Sequence, residues 1–210
     1  EREMRSYPAA IGLFILVLAC PAWASVIDQI GSTDSSTPTS PSSPFHGKGN
    51  LFRVDQNVTL TEQAFYLHFT DSKTMTFCVY ESVSGSQMGD YTQIQSKQVA
   101  MTGSGSTWYS SGPIGVPLQA GHYYIIAYSM PGSFTSYWTG GVDSLTVSFG
   151  EQLSGISNIV DPAPTSLSIS SDNKAIYYQR LTTEVPEPTA VGLLGLGLVV
   201  TLARRRSRLV

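Results

Sequence analysis

Residues 116–127 read VPLQAGHYYIIA. A short extended piece, Val116-Pro117-Leu118, meets a turn at Gly121, and a run of aromatic and β-branched residues follows. Proline lacks an N–H and so belongs at a sheet edge, whereas the run from His122 to Met130 has the composition of a central strand. The rest of the chain repeats this texture. Residues 63–69, QAFYLHF, place Ala64, Tyr66 and His68 on one face and Phe65, Leu67 and Phe69 on the other. Further on, Met75, Phe77 and Val79 share a face, with Thr74, Thr76, Cys78 and Tyr80 opposite. Similar segments run over 50–54, 91–101, 107–116, 134–138, 144–149, 166–169 and 175–181, with Gly, Ser, Asn and Asp clusters between them. About ten strands and no amphipathic helix predict an all-β fold, a single jelly-roll-like β-sandwich over 45–184.

The piece Leu118-Gln119-Ala120-Gly121-His122-Tyr123-Tyr124 fits a pattern L-x-A-G-x-x-Y. It resembles stretches of extracellular β-sandwich modules, carbohydrate-binding and fibronectin-like ones among them. That resemblance implies a fold more than a function.

Outside the sandwich the composition changes. Residues 31–44, GSTDSSTPTSPSSP, are too polar to bury a core, so 25–44 is expected to be a disordered or extended linker. Upstream, taking Met4 as the start, Arg5 precedes an apolar stretch over 9–19, and Ala22-Trp23-Ala24 has the small-x-small form of a signal-peptide cleavage site. Residues 1–24 are thus expected to be a leader cut after Ala24. Val17-Leu18-Ala19-Cys20 also resembles a bacterial lipobox, an alternative that would lipidate Cys20.

The other end reads EVPEPTAVGLLGLGLVVTLARRRSRLV. Residues 189–203 carry no charge, a membrane-insertion signal. As a helix they reach roughly 22 Å, short for a hydrocarbon core of about 30 Å, so the bilayer thins or the ends snorkel. Arg204, Arg205, Arg206 and Arg208 follow and hold the cytoplasmic side. Prolines keep Val185, Pro186, Glu187 and Pro188 out of a helix, leaving them extended at the membrane surface, where a protease can bind a strand. In this order, the motif at 185–188, the apolar helix and the basic stop at 204–210 resemble the PEP-CTERM sorting signal of Gram-negative bacteria. The resemblance implies recognition by exosortase, a cysteine-protease-like enzyme of the inner membrane. It also implies export to the cell surface, outer membrane or medium, and a link to exopolysaccharide and biofilm.

With leader and tail set aside the charge sharpens. The chain has 12 basic and 15 acidic residues; 2 of each lie in 1–24 and 4 arginines in 204–210, leaving 6 against 13. An acidic chain with no basic cluster argues against a nucleic-acid partner. Cys78 stands alone once Cys20 leaves, so no internal disulfide forms, and its apolar strand setting reads as a small buried hydrophobe.

Chemistry-bearing motifs are sparse. His46, His68 and His122 have no ligand-spaced neighbours, and no G-x-S-x-G elbow occurs. Asp71, Glu81, Asp90, Asp143 and Glu151 are the carboxylates a glycosidase would draw on, but spacing alone pairs none of them. No calcium loop is written in the sequence, and no catalytic residue, metal or cofactor is assigned. Asn57-Val58-Thr59 matches a glycosylation pattern by chance. Two aromatic pairs beside Gly/Ser turns stand out: Trp108-Tyr109 and Tyr137-Trp138. They either fill the core or form a platform on which sugar rings stack. The expectation is a non-enzymatic exported surface or matrix protein associated with exopolysaccharide. The alternatives are a carbohydrate-binding module with a defined glycan and, last, a glycan hydrolase.

Overall fold

A computed structural model describes residues 23–39, 45–141, 143–159, 162–171 and 173–186. Among the described residues there are fifteen strands and no helix. In chain order they are β1 Trp23–Ile30, β2 Ser35–Pro38, β3 His46–Val54, β4 Val58–Phe69 and β5 Lys73–Ser82. Next come β6 Gly89–Met101, β7 Gly105–Ser110, β8 Val116–Leu118, β9 Tyr123–Met130 and β10 Thr135–Thr139. The last five are β11 Leu145–Val147, β12 Gly150–Ile159, β13 Ser166–Ile169, β14 Ile176–Tyr177 and β15 Gln179–Pro186.

All pairings are antiparallel and form two sheets. The first runs β1-β15-β4-β10-β14, with β7 and β8 also on β4 and β2 on β10; the second runs β11-β12-β3-β9-β5-β6-β13. The twelve residues of β4 are the spine of the first sheet. One of its edges carries β15 and then β10, the other β8 and then β7.

The stretch 116–127 folds as read. β8 is a three-residue strand on the rim, and β9 lies centrally between β3 and β5, buried along almost its whole length. Gly121 turns between them at φ +83°, where a side chain is disfavoured. Its N–H donates to Val54 O at 2.8 Å, and the Ala120 N–H donates to Asn57 Oδ1 at 2.8 Å. Asn57 is therefore a structural acceptor for the turn.

The alternation in β4 and β5 decides how the sheets face each other. Phe65, Leu67 and Phe69 meet Met75, Phe77, Tyr128 and Met130 in one part of the inter-sheet core. Leu60, Leu181, Ile30 and Ile176 meet Phe52, Val54, Val79 and Ile126 in another. The opposite face of the second sheet is also buried: Cys78, Tyr80, Tyr91, Ile125 and Ala127 lie under Leu153, Ala163, Leu167 and Ile169. A sheet covered on both faces needs apolar residues at consecutive positions, which is why β9 reads YYIIAYSM without alternation.

The expected linker is corrected. Part of 25–44 belongs to the sheet, and the compact unit spans Trp23–Pro186 rather than 45–184. β1 pairs with β15 along its length, with Ile30 in the core and Ile27 64 % exposed. β2 carries no apolar side chain to bury and is held by hydrogen bonds. Thr39 Oγ1 donates to Phe134 O at 3.0 Å and accepts from the Phe134 N–H at 2.9 Å. A short polar strand ending in proline suits an edge, where it discourages further pairing. Two other differences are local. The expected strand 107–116 breaks after Ser110, where Gly112 takes φ +59°, and β12 was not anticipated.

Candidate functional site

The outer face of the first sheet carries a cluster of aromatic side chains, built by the same alternation that fills the core. Phe65 and Leu67 point inward, so Tyr66 and His68 point outward. Across the ladder Tyr66 is opposite Trp108 on β7, and on the other edge β10 and the residues before β15 bring Tyr137 and Tyr178 alongside. Tyr66 is the hub. Its ring centroid lies 5.5 Å from Trp108, 5.3 Å from Tyr137 and 5.3 Å from Tyr178, and Trp108 and Tyr178 are 4.7 Å apart. Most of these contacts are edge-to-face, the arrangement that ring quadrupoles favour. All four rings are half-buried, so each keeps part of its surface open to solvent.

Polar groups frame the cluster. The Arg180 guanidinium lies 4.3 Å from the Trp108 ring centroid, a cation–π contact. Its Nη2 donates to Gln29 Oε1 at 3.2 Å, and Gln29 Nε2 donates to Tyr178 Oη at 2.8 Å. On the opposite side Ser106 Oγ bonds His68 Nδ1 at 2.9 Å and Tyr137 Oη at 3.1 Å. Beyond His68 the face continues into a cavity of about 240 Å³ lined by His68, Asp71, Thr135 and their neighbours. His68 lies two residues beyond Tyr66 on β4 and Thr135 two residues before Tyr137 on β10, so cluster and cavity follow one another along one face. Asp71 is paired with Lys73 at 2.7 Å, and that partner holds its carboxyl below the usual range.

Of the four aromatic residues singled out from the sequence, the structure brings Trp108 and Tyr137 together and leaves the other two elsewhere. Tyr109 follows Trp108 in the strand and so faces inward. It is 4 % exposed, stacks on Phe69 at 4.1 Å and donates from Oη to Gly105 O at 3.0 Å. Its expected role as a stacking platform is corrected: Tyr109 is core. Trp138 lies on the Ser136 side of β10, where Nε1 donates to Thr37 Oγ1 at 3.0 Å. Tyr66, Tyr178 and Arg180 were not singled out. The pattern QAFYLHF already puts Tyr66 opposite the apolar face, but Tyr178 and Arg180 reach the cluster only through the pairing of β15 with β4.

The carboxylates are dispersed among local partners. Asp143 pairs with Lys174 at 2.6 Å, and Glu151 with Arg53 at 3.1 Å. Glu81 Oε1 accepts from Tyr124 Oη at 2.9 Å and lies 2.7 Å from His122 Nδ1. Asp90 is exposed on β6. Among the described residues no group of three or more His, Cys, Asp or Glu side chains gathers closely enough to hold a metal ion. Cys78 is 1 % exposed, and burial pushes its thiol up to about 11. At pH 8 only roughly one in a thousand such thiols is ionised, and the thiolate is the reactive form. The native protein is expected to resist iodoacetamide at pH 8 and to react on unfolding. Prompt labelling of native protein, read by mass spectrometry, would refute this.

The sorting residues fall partly within the structure. Val185 and Pro186 end β15, where they pair with Ala24 and Trp23. Ala22, Glu187, Pro188, the apolar stretch 189–203 and the arginines Arg204, Arg205, Arg206 and Arg208 lie outside the described residues.

Comparison with known proteins bears on the two parts separately. No curated protein matches the sequence. Two solved structures of infectious bursal disease virus are similar only distantly. The Gx strain shares 11 % identity at a TM-score of 0.25, over 89 % of this chain and 49 % of that one. The Gt strain shares 12 % at 0.23, over 78 % and 43 %. This chain thus spans about half the length of each, and likenesses this slight carry no argument. The C-terminal segment is different: residues 184–207 match the PEP-CTERM protein-sorting motif. The chain therefore carries the sorting signal of an exported, exosortase-processed protein, joined to an all-β domain built as a sandwich.

Proposed function

We propose that the exported domain is a non-enzymatic surface or matrix protein that holds exopolysaccharide on the outer face of its first sheet. The observation that carries this reading is the Tyr66-centred cluster, with Trp108, Tyr137 and Tyr178 half-buried and Arg180 at its edge. Sugar rings have apolar faces and hydroxyl edges. Flat aromatic faces suit the first, and the Tyr178 and Tyr137 hydroxyls, Ser106, Gln29 and the Arg180 guanidinium suit the second. Side chains braced by one another are already ordered, which lowers the entropic cost of binding. A polymer fits better than a small ligand, because cluster and cavity lie in a row along one face.

The test is co-sedimentation of leader-cleaved protein with exopolysaccharide from cells that make it. Trp108→Ala removes ring area worth about 2 kcal/mol, so affinity is expected to fall roughly thirtyfold. Trp138→Ala, on the opposite side of β10, is expected to bind as wild type does. Polymer length, followed by size-exclusion chromatography, is expected to stay constant through long incubation. Undiminished binding by Trp108→Ala would sink the platform, and shortening of the polymer would sink the non-enzymatic reading.

A further inference from the structure

The two processing sites meet in one strand pair. β1 lies at the edge of the first sheet with β15 as its neighbour, and the register sets Trp23 opposite Pro186, Ala24 opposite Val185 and Ser25 opposite Glu184. On the other side of β15, pairing with β4 ends at Glu184 opposite Thr59. Val185 and Pro186 therefore have strand partners on one side alone, and those partners are residues 23 and 24. A leader cut after Ala24 ends at those two residues.

We infer that leader removal uncovers Val185 and Pro186, the first two residues of the sorting motif, so that hydrolysis of the Ala24–Ser25 bond must precede their recognition by exosortase. This rests on the reading of the chain as exported with a leader cut after Ala24. Water adds across that one bond: the leader leaves with a carboxylate on Ala24, and the mature chain begins with an ammonium on Ser25. Before the cut, the edge of Val185 and Pro186 is occupied by the leader's own last residues. A protease that takes its substrate as an extended strand needs an edge to pair with. After the cut, the edge opposite residues 185 and 186 is empty, while 25–30 stay paired with 179–184. The new ammonium stands directly opposite Glu184, and opposite charges in register favour the remaining pair. Opening is easy, since Pro186 has no N–H to give to a ladder and Val185 keeps only the packing of its side chain against the core. The same register sets residues 23 and 186, the first and last of the compact unit, side by side at one end of the sheet.

The experiment is a pulse–chase of the full chain in exosortase-bearing cells, following precursor, leader-cleaved and tail-processed species by gel and mass spectrometry. Inserting Gln-Trp-Gln between Ala24 and Ser25 leaves the leader intact but keeps two residues opposite 185 and 186 after the cut. Inserting Gly-Pro-Gly adds the same length and pairs poorly. In wild type, leader loss is expected to come before tail processing. The Gln-Trp-Gln chain is expected to lose its leader normally and its tail roughly tenfold more slowly, because the competent state is rarer; the Gly-Pro-Gly chain is expected to follow wild type. Tail processing of the Gln-Trp-Gln chain at the wild-type rate, or before leader loss in wild type, overturns the inference. A wild-type chain that loses neither end overturns the reading of leader and sorting, and the inference with it.

Discussion

Asn50→Ala is expected to destabilise the domain by about 4 kcal/mol, a large part of the 5–15 kcal/mol that holds a typical domain together. Asn50 is 0 % exposed and sits in β3 of the second sheet, yet its side chain bonds the first. Nδ2 donates to Tyr177 O at 2.9 Å and to Gln179 Oε1 at 2.8 Å, while Oδ1 accepts from the Tyr177 N–H at 2.9 Å. Gln179 passes the link on, donating from Nε2 to Ile126 O at 3.3 Å on β9. One amide thus satisfies the N–H and the C=O of a short strand and orients a second buried amide. Alanine removes the partner and leaves those groups stranded in the core, and each costs roughly 1–3 kcal/mol when unpaired. The losses overlap, so their sum is an upper bound. Urea denaturation followed by tryptophan fluorescence measures the change; a shift below about 1 kcal/mol would show that the network can be replaced by water or by rearrangement.

Asn50 also shows which part of the fold the sequence made legible. Period-two alternation is a property of single strands, so the inward faces of β4 and β5 could be read directly, and the edge–turn–strand unit at 116–127 with them. The rest of the fold depends on partners. β2 looks like linker because its composition is polar, while β1, WASVIDQI, is partly apolar but straddles the expected cleavage site and adjoins that polar stretch; both become strands only because β15 and β10 offer them open edges. β12 hides for a related reason: its buried positions include Gln152, Ser154 and Gly155, and a side chain at Gly155 would come 1.7 Å from Ala175 O. The site divides the same way. Trp108 and Tyr137 were visible as aromatic residues near turns, whereas Tyr178 and Arg180 join them only through the register of β15, which no local pattern encodes. The sorting motif, by contrast, is contiguous in sequence, so it was legible without knowledge of any strand partner.

The neighbours Trp108 and Tyr109 give the sharpest separation of fold from function, and Tyr109→Ala is expected to cost about 4 kcal/mol. Deleting a buried aromatic ring typically costs 3–5 kcal/mol, because the lost transfer energy adds to the cavity left behind. At Tyr109 the ring is stacked between the sheets against Phe69, in the cluster with Phe65, Phe77 and Tyr128. Its hydroxyl donates to Gly105 O at 3.0 Å and accepts from the Ser104 N–H at 3.1 Å, closing the turn that leads into β7. Tyr109→Phe keeps the ring and loses only those bonds, for about 1 kcal/mol. Trp108→Ala, one residue away on the outer face, loses contacts with Tyr66, Tyr178 and Arg180 in a half-solvated setting, also about 1 kcal/mol. The expected ranking in denaturation midpoint is therefore wild type, then Tyr109→Phe and Trp108→Ala close together, then Tyr109→Ala far below. Glycan affinity is expected to rank otherwise, with Trp108→Ala weakened and Tyr109→Phe unchanged. Were Trp108→Ala to unfold as readily as Tyr109→Ala, the outer aromatic cluster would be a second core rather than a face kept for binding, and the glycan reading would lose the observation that carries it.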